Sequence, residues 1–275
     1  MKQVNVFKIT LLIAGLSFVI ALLMALSGGI EHAGPYFIVF FLALAIGFRG
    51  FKHLKGFSFT VIIFGAVTAA LYYPAHFVEL NGVKLAVLIT PLIQLIMFGM
   101  GTSMSVNDFI GVIKMPRGVF IGVFSHFLIM PLIGFTLAGL SGLPPEIAAG
   151  IILIGCSPNG MASNVISYLA RANLALSITI TAVSTLIAPV MTPLLMKFLA
   201  GAYIKIDTLS MMWDIVKMVI IPISFGLLFN KFLSGKIKWL DDAMPLVSMF
   251  GIAFIIVIII AAGRNSLLAI GPLLI

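Results

Sequence analysis

Polar side chains accompany a helix-breaking run inside an otherwise apolar part of this 275-residue chain. The run is Ser157-Pro158-Asn159-Gly160, and Ser163 and Asn164 follow it within the apolar segment 146–171. Proline and glycine both interrupt helices, so carbonyl and amide groups of the run lose their helical partners. Carbonyl and side-chain oxygens suit a cation, whereas the N-terminus of the restarted helix suits an anion. The alternative is a simple proline–glycine kink, which needs no ligand side chains.

A second set of polar side chains lies on the next apolar segment, residues 173–200. Ser177, Thr181 and Ser184 are spaced by four and three residues, so a helix places them on one face. Together with the two polar side chains that follow the break, they would supply neutral oxygens from two helices. Such oxygens suit a hard cation such as sodium. The alternative is that each hydroxyl bonds back to a carbonyl of its own helix, which is common in membrane helices.

His126 lies in the middle of the apolar segment 117–140. An ionisable side chain inside a membrane span is a candidate for proton transfer or for binding an ion or substrate. A neutral imidazole that bonds to a neighbouring helix is an equally good interpretation, and the sequence does not decide between them.

The composition is that of a polytopic helical membrane protein. Hydrophobic residues make up 62% of the chain and charged residues 9%, and the mean hydropathy is +1.26. Soluble domains do not have this balance, so the lipid bilayer is a predicted partner. The net charge of +8 is attributed to basic loops, because no basic patch interleaved with aromatics points to nucleic acid. No catalytic motif is present, so we expect neither an enzyme nor a cofactor.

Apolar segments of roughly 20 residues, the length of a membrane span, are separated by polar loops. They lie at about residues 9–28, 35–51, 57–75, 83–103, 117–140, 146–171, 173–200, 209–233 and 243–262. With the N-terminus in the cytoplasm, most of the 16 Lys and Arg residues fall at the inner side. The positive-inside rule therefore predicts a multi-pass protein of the inner (plasma) membrane with a cytoplasmic N-terminus.

Four runs of the sequence resemble the bile acid:sodium symporter family in its bacterial form. They are MFGMGTSMSVNDF (97–109), LPPEIAAGIILIGCSPNGMASNVISYLARANLALSITITAVSTLIAPVMTPLL (143–195), DIVKMVIIP (214–222) and DDAMPLVS (241–248). The resemblance implies an all-α polytopic membrane protein with an inverted-repeat transporter fold, panel and core domains, and a broken, crossing helix.

The resemblance also implies a domain organisation. Residues 1–55 would form two additional N-terminal helices, and residues 56–275 would form the symporter-like domain. Within that domain the panel parts would be about 56–110 and 207–263, and the core part would be about 114–201.

The function that the resemblance implies is sodium-coupled symport of an organic anion, either bile acid-like or a small carboxylate. Na+ would be the coupling ion, and its first site would map onto Ser163, Asn164, Ser177 and Thr181. His126 stands where the family often has a glutamine that contributes to a second sodium site. That second site is therefore expected to be altered, lost or replaced by proton coupling.

The resemblance places the anionic substrate at the backbone amides of Asn159, Gly160 and Met161. The dipole of the half-helix that starts there supports the same position independently.

Besides His126, two further departures from the family pattern leave alternatives open. Residues 9–51 precede the family-like part as two further helices, and the chain stops at the start of the family's eighth helix. A truncated membrane protein that does not transport is therefore one alternative to the symporter. A proton-coupled anion carrier that uses His126 is the other.

Overall fold

The computed structural model describes residues 2–51, 54–80, 82–104, 112–160, 162–233 and 238–270, and these residues are almost entirely helical. The helices are α1 (Lys2–Leu26), α2 (Gly34–Phe48), α3 (Ser58–Tyr72), α4 (Ala75–Val78), α5 (Ile89–Ser103), α6 (Pro116–Ser141), α7 (Pro145–Cys156), α8 (Ala162–Leu169), α9 (Leu174–Ala200), α10 (Thr208–Ile215), α11 (Ile221–Leu233) and α12 (Lys238–Ile270). A π-helical segment, Val216–Ile220, joins α10 to α11. Two short antiparallel strands, β1 (Glu79–Leu80) and β2 (Val83–Lys84), precede α5.

Six helical stretches among the described residues are long and apolar enough to cross a membrane. They are Val6–Leu26, Leu85–Thr102, Pro116–Ser141, Leu174–Ala200, Thr208–Phe232 and Leu246–Ala269. Large apolar side chains such as Leu12, Phe120 and Phe198 are exposed on them, as expected for surfaces that face lipid. The predicted all-α polytopic architecture is confirmed.

The predicted spans 35–51 and 57–75 correspond to shorter helices. Helices α2 and α3 have 15 residues each, fewer than the roughly 20 that a perpendicular span needs. The inverted repeat, the crossing of the broken helix, and the division into panel and core stay predictions.

The described residues form two compact units, of which the first comprises residues 1–92 and 249–275. Here α1, α2 and α3 pack against each other in chain order. Gly47 permits the close approach of α1 and α2, since a methyl group on it would lie 2.5 Å from the Leu11 side chain. Ala70 of α3 is buried in a cluster with Val257 and Ala261 of α12. Small residues at these contacts are typical of membrane helices.

The second unit comprises residues 93–248 and contains the break. Helices α6 and α7 form a hairpin whose turn uses Gly142 in the left-handed region, with φ 61°. A methyl group on Gly155 would lie 2.5 Å from the Met130 carbonyl oxygen, so glycine lets the end of α7 lie directly on α6. Helix α9 packs against both helices around a cluster of buried side chains, four of which are alanines. This packing brings α6 and α9 to the segment that follows α7.

Candidate functional site

The predicted helix interruption lies between Cys156, where α7 ends, and Ala162, where α8 begins. Ser157 is extended, with φ −74° and ψ 151°. Pro158 explains this conformation, because a proline disfavours the helical region for the residue before it. The run 157–160 is therefore an interruption and not a bend in a continuous helix.

Ser157 caps the C-terminal end of α7. Its amide donates to the Ile154 carbonyl at 3.3 Å, and its hydroxyl donates to the Leu153 carbonyl at 2.8 Å. Two of the carbonyl groups that a helix end leaves without partners are thus satisfied locally.

Side chains of α6 and α9 bond the carbonyl groups of Cys156 and Ser157. Thr192 Oγ1 donates to the Cys156 carbonyl at 2.7 Å, and both residues are buried. His126 Nε2 lies 2.9 Å from the Ser157 carbonyl oxygen. A carbonyl only accepts, so Nε2 carries the hydrogen and is not free to coordinate sodium, whereas Nδ1 remains. Since an unpaired buried carbonyl is costly, both bonds stabilise the unwound conformation.

The amide of Asn159 is bonded to the same helix, α9. It donates to Ser184 Oγ at 3.3 Å, and the Ser184 hydroxyl donates in turn to the Thr181 carbonyl at 3.0 Å. Ser184 is fully buried. The backbone of the break is therefore connected through one hydroxyl to a predicted sodium ligand.

Three of the predicted sodium ligands meet in a polar cluster, which consists of Asn164, Ser177 and Thr181. Asn164 Oδ1 accepts hydrogen bonds from Ser177 Oγ at 2.7 Å and from Thr181 Oγ1 at 3.3 Å. Thr181 Oγ1 also lies 3.0 Å from the Ser177 carbonyl oxygen of its own helix. Ser167 Oγ adds a bond to Ser177 Oγ at 3.1 Å. Neutral oxygens from α8 and α9 thus converge, as a site for a hard cation requires.

Ser163, the fourth predicted ligand, has a different partner. Its hydroxyl donates to the Gly160 carbonyl at 2.7 Å, and its amide bonds the same oxygen at 3.1 Å. Ser163 therefore closes the first turn of α8, and its hydroxyl is directed to the break instead of to Asn164.

The predicted anion-binding amides have three different environments. The Asn159 amide is engaged by Ser184, as described above. Gly160 is exposed, and a methyl group added to it would meet nothing within 4 Å. Met161 lies outside the described residues.

Sequence reasoning missed that Thr192 and Ser184 bond the break. The sequence places Ser184 on the face of α9 that carries Ser177, but it does not indicate that Ser184 bonds the backbone of the break. Thr192 lies 11 residues after Thr181, about three turns of helix, and so faces the same side. That spacing was the signal that could have identified it.

A model of the sodium bile acid symporter family matches residues 90–270, which include the break and the polar cluster. The chain belongs to this family. Among its relatives, an uncharacterized sodium-dependent transporter, YocS, of Bacillus subtilis is 37% identical over 226 residues, which cover 82% of this chain and 69% of YocS.

Relatives in the sodium bile acid symporter family also include eukaryotic proteins. The probable sodium/metabolite cotransporter BASS1 of Arabidopsis thaliana, a chloroplastic protein, is 37% identical over 64% of this chain and 44% of its own length. The ileal sodium/bile acid cotransporter of Mus musculus is 31% identical over 70% of this chain and 55% of its own length. The chain thus spans about half the length of these two relatives. Helices α1–α4 precede the matched region 90–270, and the role of residues 1–55 as two additional helices stays a prediction.

Proposed function

We propose that this chain forms the membrane part of a sodium-coupled symporter for an organic anion, either bile acid-like or a small carboxylate. The observation that carries the proposal is the polar cluster, which joins the restarted helix α8 to α9 beside the break. Its neutral oxygens suit Na+ better than a transition metal, which prefers nitrogen or sulfur ligands. Membership of a symporter family supports transport rather than catalysis.

Sodium would bind by exchanging hydrogen bonds within the polar cluster for contacts with the ion. The Thr181 hydroxyl can keep its proton on the Ser177 carbonyl, 3.0 Å away, and turn its lone pairs to the ion. Asn164 Oδ1 supplies an amide oxygen. Ser163 is the fourth proposed ligand, since its oxygen retains lone pairs while it donates to Gly160.

The anion would bind at the N-terminal end of α8, where Gly160 faces open space. A helix N-terminus offers partial positive charge and free amides to an anion. Asn159, Gly160 and Met161 are the proposed donors, and Gly160 would make the first contact because Ser184 engages the Asn159 amide. A sodium ion on the same half-helix adds positive charge near the anion. Each ligand should therefore raise the affinity for the other, and by the same factor.

Transport would follow from rocking of the proposed panel against the proposed core about this site. The excess of Lys and Arg on one side of the spans supports a cytoplasmic N-terminus in the inner membrane.

Uptake into proteoliposomes tests the proposal. Radiolabelled taurocholate and lactate, a bile acid and a small hydroxy acid, are offered under an inward sodium gradient or an equal potassium gradient. Asn164→Ala should reduce sodium-dependent uptake to background, whereas Asn265→Ala, at an exposed position of α12, should retain it. Undiminished uptake by Asn164→Ala would remove the polar cluster from the mechanism, and uptake indifferent to sodium would reject the coupling.

A proton-coupled anion carrier is the second candidate, because His126 contacts the break directly. With Nε2–H donated to the Ser157 carbonyl, Nδ1 is the atom that can take up a proton. Uptake would then follow an inward proton gradient without sodium and would vanish in His126→Gln. Retained sodium-driven uptake in His126→Gln, with no response to pH, would exclude this candidate.

A further inference from the structure

The backbone of the break is held by side chains that the proposed ion and anion sites do not use as ligands. We call His126, Ser184 and Thr192 the clasp; their bonds to the break are 2.9, 3.3 and 2.7 Å long. Ser184 and Thr192 are 0% and 3% exposed, respectively. The clasp approaches the break from two helices, α6 and α9, so it fixes the segment on two sides.

The Thr192 hydroxyl differs from an ordinary hydroxyl of a membrane helix. Thr185 on the same helix donates to the Thr181 carbonyl, and Thr136 on α6 donates to the Leu132 carbonyl, both four residues back. Thr192 instead gives its only proton to a backbone carbonyl 36 residues away in the chain. A bond to this distant carbonyl stabilises the protein more than a bond within α9 only if the carbonyl would otherwise lack a partner.

Ser184 also connects the two proposed sites. Its hydroxyl accepts from the Asn159 amide, at the proposed anion end, and donates to the carbonyl of Thr181, a proposed sodium ligand. A displacement of the break would therefore be transmitted to the polar cluster through a single side chain.

We propose that Thr192 and Ser184 are positioning residues that set the conformation of the break and, through it, the geometry of the sodium site. The effect on sodium rests on the proposed function, whereas the effect on the backbone does not. The two effects are therefore measured separately, on the full chain purified in detergent.

Cys156 provides the probe of the backbone. It is the single cysteine of the chain, it is fully buried, and Thr192 bonds its carbonyl. Opening of the break should expose the thiol to N-ethylmaleimide. Thr192→Val keeps the side-chain shape without the hydroxyl and should label roughly tenfold faster, the change expected from loss of one buried hydrogen bond. Thr192→Ser keeps the hydroxyl and should label at the original rate.

Two further variants complete the labelling experiment. Thr136→Val is a control for the loss of a back-bonded hydroxyl: Thr136 is exposed and donates to a carbonyl of its own helix at 2.8 Å, so this variant should label at the original rate. Ser184→Ala removes one buried oxygen without adding volume, and it tests the clasp if Thr192→Val does not fold. We expect it to accelerate labelling as well.

Binding of ²²Na+ measures the second effect. Thr192→Val and Ser184→Ala should raise the sodium concentration for half-saturation roughly tenfold, again the value of one buried hydrogen bond. Their thermal midpoints without sodium should lie below that of Thr136→Val, because each variant loses a hydrogen bond of a buried side chain to the break. A merely structural role would lower the midpoint in the same way but leave the half-saturation of the folded protein unchanged.

The two readouts separate the two proposals. Equal labelling rates in Thr192→Val, Thr192→Ser and Thr136→Val, together with an unchanged rate in Ser184→Ala, would overturn the clasp. Accelerated labelling of the variants, together with no ²²Na+ binding by the unaltered protein, would support the clasp and reject the proposed sodium function. Accelerated labelling with an unchanged sodium half-saturation would overturn the link to the sodium site.

Discussion

Two spans of the second compact unit depart from regular α-helix, and they do so to very different degrees. In the segment 146–171, helical bonding stops after Cys156, and the clasp bonds backbone groups that have lost their helical partners. In the segment 208–233, the π-helical Val216–Ile220 keeps the chain helical throughout. There the Gln94 side chain donates to the Lys217 carbonyl at 3.3 Å.

The amino acids at each place explain the difference. Pro222 follows the π-helical segment and cannot donate to the carbonyl four residues back. The chain adapts by widening one turn, and the Ile221 amide bonds the Val216 carbonyl five residues back. In the other span a proline and a glycine stand in one run of four residues, with polar side chains around them. One helix breaker is thus absorbed within the helix, whereas the combined run opens it.

An open break persists only where neighbouring helices supply hydrogen-bond partners at membrane depth. Helix α9 supplies two of these partners and also carries two members of the polar cluster. The comparison therefore indicates that the site depends on α9 as much as on the broken helix itself.

The largest effect should come from separating α7 from α6 beside the break. At Gly155 even a methyl group would lie 2.5 Å from the Met130 carbonyl oxygen. The larger side chain of Gly155→Leu should therefore destabilise the fold by about 3 kcal/mol. Gly150→Leu, on the same helix with nothing within 4 Å, is the matched control. Thermal unfolding in detergent measures both, and equal midpoints would mean that close packing does not position the break.

A smaller effect is expected at the polar cluster. Ser177→Ala removes the 2.7 Å bond to Asn164 and a proposed sodium ligand. It should raise the half-saturating sodium concentration roughly tenfold, which corresponds to about 1.4 kcal/mol. Ser141→Ala, which loses a bond within its own helix end, should leave it unchanged. Identical ²²Na+ binding curves for the two variants would contradict the assignment of Ser177.

The sequence predicted the break because its cause is local. Pro158 and Gly160 act on their own backbone, and helical periodicity is enough to bring Ser177 and Thr181 to one face. The convergence of these hydroxyls on Asn164 was likewise predictable, since the two elements adjoin in the chain.

The partners of individual atoms could not be predicted in the same way. The bond of Thr192 to Cys156 depends on how α9 packs along α7, which periodicity does not specify. Whether Ser163 bonds Gly160 or Asn164 depends on one side-chain rotamer. The π-helical segment was also missed, because its sequence keeps the pattern of an ordinary span and Pro222 was its only signal.

The smallest effect is expected at the π-helical segment. Gln94→Leu removes one partly exposed hydrogen bond of 3.3 Å, so the fold should lose only about 0.5–1 kcal/mol. Because the turn is closed by its own backbone bonds, neither the labelling of Cys156 nor the half-saturating sodium concentration should change. Both quantities are measured beside Thr192→Val under the same conditions. If Gln94→Leu accelerated labelling as Thr192→Val is expected to do, the two interruptions would form one coupled element, and the distinction between an opened and a widened helix would carry no functional meaning.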